Sequence, residues 1–169
     1  MQSRRHCVQS FYQNWGTYKS GFGALETDYW IGLDLLVSLT RLRPYRALFN
    51  LTNATGTFQA SYATFRVGNE SAKFKLDVDG YSGNAGDAMA SVANMAFSTK
   101  GRDHDKKWRG SCARLFRCGW WFKSCGPAVL NGPCPNQNGY YPRTRKYMRW
   151  KPTAWFRPLK ASEFLISPA

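Results

Sequence analysis

The chain has 169 residues, 43% of them hydrophobic and 16% aromatic, with 24 Lys and Arg against 10 Asp and Glu. That length and apolar content exclude a disordered chain and fit one domain with a sizeable core. The formal charge of +14 is uneven: residues 1–100 hold ten Lys/Arg and seven Asp/Glu, a net of +3, whereas residues 101–169 hold fourteen and three, a net of +11. The second half therefore invites a polyanion or an anionic cell surface as partner.

In chain order, QSFYQNWGTYKS (9–20) spaces Phe11, Trp15 and Tyr18 along one face of a short helix, and GFG at 21–23 ends it. A short apolar strand is expected at Tyr29–Ile31, then a helix from Asp34 to Leu42 with Asp34 as its N-cap. Residues 45–51 and 57–67 alternate apolar and polar, as half-buried strands do. KFKLDVDGY repeats the pattern, with Phe74, Leu76 and Val78 on one face and Lys73, Lys75, Asp77 and Asp79 on the other. GYSGNAGDAM is a Gly-rich turn in which Asp87 is placed to cap the next element. From about residue 98 the texture turns to Gly, Pro, Asn and Cys with scattered aromatics, the composition of a loop-rich half that carries binding surfaces.

Five cysteines occur, Cys7, Cys112, Cys118, Cys125 and Cys134, and the last four fall within 23 residues. That clustering favours local crosslinks in an oxidising compartment, while the absence of a C-x-x-C pair or a nearby His argues against zinc. The odd count leaves one thiol unpaired or joined to another chain. Three N-glycosylation triplets begin at Asn50, Asn53 and Asn69, the first two too close for both to be modified easily. They point with the cysteines to secretion, and no run of ~20 apolar residues suggests membrane insertion. His6 and His104 have no nucleophile beside them in sequence, and no P-loop, H-E-x-x-H or G-x-S-x-G motif is present. An enzyme is not expected.

SFYQNWGTYKSGFG, DYWIGLDLL, FKLDVDGYSGNAGDAM, FSTKGRDHD, the Cys112 to Cys125 segment with GWWF inside it, and VLNG at 129–132 follow in an order and spacing that resemble the fibrinogen C-terminal domain family. From Pro133 the likeness weakens, although Trp150, Trp155 and PLKASEFLISPA still look like the family's last strand. The resemblance implies an α+β domain: a twisted, mainly antiparallel sheet with short helices over 1–97, and a loop-rich, disulfide-held calcium- and ligand-binding subdomain over 98–169. It also implies that the family's N-terminal subdomain is missing, which would leave an exposed sheet edge and a free thiol at Cys7.

The resemblance further assigns site residues. FSTKGRDHD matches a calcium loop, with Asp103 and Asp105 as carboxylate ligands, the carbonyls of Lys107 and Gly110 completing the shell, and Gly101 where a first acid is usual. One extra residue before Cys112 and the cations Arg102, Lys106, Lys107 and Arg109 depart from that pattern. Cys112 and Cys125 match the family's loop disulfide; a Cys118–Cys134 bridge is open, and Cys7 inherits no partner. A ligand pocket would draw on Trp121, Phe122, Ser124 and Gly126, with a cis Ser124–Cys125 bond in the acetyl-binding members. Phe122 and Gly126 replace the Tyr and His of those lectins, and C-G-P at 125–127 resembles angiopoietins, which bind receptors. The expected function is an extracellular recognition module for glycans or cell-surface and matrix proteins. Calcium is its expected ion, and a homo-oligomer is expected of the full-length protein. The alternatives are a receptor ligand that uses protein contacts alone and a sulfated-polyanion binder using RTRKYMRWK at 143–151.

Overall fold

The computed structural model describes residues 1–135, 146–152 and 158–169; Trp155 and residues 143–145 of the basic run lie outside them. Strands and helices follow in the order β1 (Gln2–Arg4), α1 (Trp15–Ser20), β2 (Phe22–Gly23), β3 (Tyr29–Trp30), α2 (Leu33–Thr40), β4 (Tyr45–Thr52), β5 (Thr57–Val67) and β6 (Leu76–Gly83). The second half supplies β7 (Phe97–Ser98), α3 (Cys112–Leu115), β8 (Trp120–Trp121), β9 (Ala128–Val129), β10 (Arg149–Trp150) and β11 (Ala161–Pro168). Seven strands make one antiparallel sheet in the order β2-β3-β1-β11-β4-β5-β6, while β7 pairs with β8 and β9 with β10 in two small ribbons.

The alternation in β4 buries Tyr45, Ala47, Phe49 and Leu51. In β5 the inward set is Ala60 and Tyr62, then Phe65 and Val67. This phase shift falls at Ala63, against which Gly80 (φ 73°) packs so closely that a Cβ would lie 2.7 Å from the Ala63 Cβ. Phe49 stacks on Phe164 of β11 at 4.7 Å between ring centroids, closing the core across the strand pair.

Phe11 is buried with Trp15 and Tyr18 as expected, but it lies before α1. The helix begins one turn later because Asn14 accepts a hydrogen bond from the Thr17 N–H and caps it there. Gly21 closes it in a backbone conformation (φ 97°) that suits glycine. Asp34 is not the N-cap of α2: Gly32 holds that place, and Asp34 sits in the first turn, where its charge suits the positive helix end. Asp87 accepts from the Ala90 N–H and from the Tyr62 hydroxyl, tying a 3-10 turn at Ala90–Val92 to β5.

The boundary at residue 97 does not divide the sheet. β11 returns to the first half and inserts between β1 and β4, in register from Ala161 opposite Thr52 to Pro168 opposite Tyr45. β1 is therefore an inner strand, flanked by β11 and β3, and the sheet edges are β2 and β6.

Candidate functional site

The FSTKGRDHD loop folds around its own backbone. Asp105 accepts the Lys107 N–H at 2.8 Å and the Cys112 N–H at 2.7 Å, one on each oxygen, and Asp103 accepts the Asp105 N–H. Burial raises the Asp105 carboxyl above its ordinary value; the Cys112 and Lys107 N–H bonds pull it down, while Asp103, by hydrogen bond and charge, adds to the rise. Arg102 is drawn off to Glu70, which also accepts from Trp15 Nε1 and Lys19. The Lys107 ammonium donates to the Arg109 carbonyl, in a hollow of about 350 Å³ shared with Asp103, Lys100 and Arg114. Calcium takes about six to eight oxygens. Here two carboxylates already serve backbone N–H groups, and a tethered ammonium occupies the Arg109 carbonyl. A calcium ion here would have to share both carboxylates with those N–H groups and displace the Lys107 ammonium.

Cys112 bonds Cys125, as the resemblance implied. Cys7 is not a free thiol: it bonds Cys134 across 127 residues, so the crosslinks are not all local. The remaining cysteine, Cys118, is fully buried, and burial pushes its thiol far above the ordinary value. It forms no Cys118–Cys134 bridge. Two disulfides are what an oxidising compartment produces, and no described helix is long and apolar enough to cross a membrane.

The four residues expected at the ligand pocket divide into two pairs. Trp121 and Phe122 belong to the core: the Trp121 indole donates to the Phe74 carbonyl at 2.8 Å, and Phe122 stacks on Phe116. Gly119 just before them has no room for a side chain, since a Cβ would lie 2.6 Å from the Tyr18 ring. Ser124 and Gly126 do line a surface hollow, together with Ser91, Lys123, Pro127 and Lys151. Cys125 and Gly126 both adopt positive φ (67° and 68°), which turns the chain outward here, and the described residues contain no cis peptide. The Ser124–Cys125 bond is therefore trans. Arg149 in β10 braces the turn by donating to the Gly126 carbonyl and lying 4.4 Å from the Phe116 ring centre.

The glycosylation candidates differ in environment. Asn53 is buried and spends its side-chain oxygen on Thr55 and Gly56, whereas Asn50 is half-buried in β4 between Gln59 and Glu163. Asn69 is exposed at the start of a 3-10 turn. His104 is not a free loop residue: it packs edge-on against Trp15 and its Nδ1 lies 2.7 Å from the Phe97 carbonyl.

One organising residue left only a faint signal in the sequence. Asp28 is fully buried and accepts four backbone N–H bonds, from Arg5 and His6 on one oxygen and from Val8 and Gln9 on the other. Burial raises its carboxyl, but the His6, Gln9 and Arg5 N–H groups outweigh this and hold it below the usual range. With the Cys7 disulfide, Asp28 fixes the 5–9 loop, whose residues line a cleft with Arg4, Tyr12 and Arg117. Its only sequence trace is an acid just before an apolar strand.

The domain thus combines a seven-stranded antiparallel sheet with a disulfide-braced turn beside a surface hollow. The chain belongs to the family described as fibrinogen beta and gamma chains, C-terminal globular domain, whose model matches residues 1–169. It is similar to human angiopoietin-related protein 2, at 38% identity over 126 residues, 74% of this chain and 25% of that protein. It is similar to human fibrinogen C domain-containing protein 1, at 33% identity over 174 residues, 99% of this chain and 37% of that protein. The fibrinogen-like globe domain of human ANGPTL2 superposes with a TM-score of 0.93 at 34% identity, covering 99% of this chain and 78% of that one. The chain thus spans from about a tenth to two fifths of the curated relatives it matches.

Proposed function

We propose that the chain is the ligand-binding globe of an extracellular, non-enzymatic recognition protein, and that it docks a protein partner through the hollow beside Ser124. The observation that carries this reading is the turn at Cys125 and Gly126. Its left-handed backbone, the Cys112–Cys125 bond and the Arg149 brace hold Ser124 and Pro127 outward against Ser91. The described lining carries Lys123, Arg149 and Lys151 and no aromatic ring. Such a cationic, non-stacking wall suits an acidic or carbonyl-rich protein segment better than a sugar ring. Similarity to angiopoietin-related proteins supports a protein ligand. So does similarity to a lamprey fibrin D-dimer complexed with the peptide Gly-His-Arg-Pro-amide, at a TM-score of 0.88 and 28% identity.

The test uses Ser124→Trp and Ser91→Trp, both at exposed positions, so that the hollow fills without disturbing the core. Binding to an array of receptor ectodomains and matrix proteins is expected to weaken by at least roughly tenfold in each variant, with melting unchanged. Partners retained at full affinity by both variants would refute the site.

A further inference from the structure

A second surface, separate from the Ser124 hollow, carries cations without counter-ions. All ten acidic residues of the chain lie within the described residues. The ion pairs they form engage Arg5, Lys19 and Arg102, and none engages Lys100, Lys107, Arg109, Arg114 or Arg117. The two acids nearest these cations, Asp103 and Asp105, are already accepting backbone N–H bonds.

These charges form a connected strip. Lys100 Nζ lies 4.9 Å and Arg117 Cζ 5.2 Å from the centre of the Tyr12 ring, so one aromatic holds two cations. Arg114 Nε donates to the Lys100 carbonyl at 3.0 Å, which places the next guanidinium beside them. Lys100, Arg114 and Lys107 share one hollow with Trp108, where Asp103 is the one acid beside three cations, while Arg117 and Tyr12 line the cleft with Arg4. The strip is also pre-organised: Lys100 donates to the Tyr12 carbonyl, and Arg4 donates to the Asn131 and Gly132 carbonyls. Side chains already fixed lose little further freedom when a ligand arrives. At one end Trp108 is 88% exposed with Arg109 Cζ 4.6 Å from its ring centre, an apolar face with charge beside it.

We propose that this strip binds a linear sulfated polysaccharide, with sulfates on Lys100, Arg114 and Arg117 and a sugar ring against Trp108. A polyanion matches a row of unpaired cations because it releases condensed counter-ions on binding. A sulfated glycan fits better than single-stranded nucleic acid, which needs successive stacking faces. The strip offers one exposed ring, and the two disulfides belong to an oxidising compartment where such glycans occur.

The experiment is calorimetric titration of a heparin oligosaccharide into the domain, at two salt concentrations fourfold apart. With about three sulfate contacts, affinity is expected to fall roughly twenty- to fortyfold across that range. Arg114→Gln with Arg117→Gln is expected to weaken binding by roughly tenfold or more and to flatten the salt dependence. Arg41→Gln with Arg46→Gln removes the same charge from exposed positions outside the strip and is expected to leave binding nearly unchanged. Equal weakening by both pairs would reduce the effect to net charge and overturn the strip. A salt-insensitive affinity, or tighter binding of oligothymidylate than of heparin at matched charge, would overturn the sulfated-glycan assignment. Ser124→Trp should bind heparin like the wild type, which keeps this proposal separate from the protein-docking hollow.

Discussion

Replacing Asp28 by Asn changes one atom and removes one charge, and its effect can be worked out from four hydrogen bonds. The carboxylate offers one oxygen to Arg5 and His6, at 2.7 and 2.9 Å, and the other to Val8 and Gln9, at 2.7 and 3.2 Å. An amide keeps one accepting oxygen, so two N–H groups face an NH2 donor whichever way it is turned. Hydrogen bonds to charged groups contribute ~1.5–3 kcal/mol each. Loss of two, with the loop partly relaxing to water, gives about 3 kcal/mol of destabilisation. In a domain of this size that lowers Tm by roughly 6–12 °C. The assay is thermal unfolding by circular dichroism with disulfides intact, repeated across acid pH. Because folding lowers the Asp28 pKa, its contribution is complete well above the unfolded value of about 3.9 and is lost as pH falls through the folded value. The gap between wild type and Asp28→Asn should therefore be full at about pH 6 and shrink below about pH 4. A gap under about 0.5 kcal/mol, or one that stays constant into acid, would refute the reasoning.

Cys7→Ala with Cys134→Ala opens a loop of 127 residues' separation, against 13 for Cys112–Cys125. The chain-entropy model gives losses of ~5 and ~3 kcal/mol respectively, so chemical denaturation should rank the long bridge as the costlier to remove. Cys118, fully buried with a thiol pushed far up, should resist alkylation at about pH 8 until the protein unfolds; rapid native labelling would contradict its burial. Secretion from a glycosylating host should modify Asn69, the exposed acceptor, so Asn69→Gln should remove the glycan-dependent mobility shift, and an unchanged shift would place the glycan elsewhere. The loop held by Lys107 should melt at the same temperature with calcium or with EDTA, to within about 1 °C, and Lys107→Ala should make it more calcium-responsive. A calcium-dependent rise in the wild type would show that the ammonium yields to the metal.

Patterns with a short period could be read from the sequence, and pairings between distant residues could not. β4, β5 and β6 announce themselves because alternate residues face the core, and α1 does so through Trp15 and Tyr18. The Cys112–Cys125 bond came from family likeness, since a count of five cysteines leaves every pairing open. Cys7–Cys134 and the four bonds to Asp28 depend on where the 5–9 loop lies in space, which no local pattern encodes. The pocket was half legible. A tryptophan or phenylalanine near a site motif reads the same whether it faces solvent or core, and Trp121 and Phe122 face the core. Ser124 and Gly126 reach the surface because the chain turns with positive φ between the two rings and the strand that follows.

β11 joins two three-stranded blocks, β2-β3-β1 on one side and β4-β5-β6 on the other. During synthesis, residues 161–168 leave the ribosome after every strand they must bridge. Until then β1 and β4 each wait with an unpaired edge, and β4 carries Ala47, Phe49 and Leu51 along it. Exposed apolar edges of this kind template aggregation, and contacts that span nearly the whole chain form slowly. Residues 161–168 thus act as the latch of folding, and a stop codon that removed them would leave two sticky half-sheets in place of a slightly smaller domain.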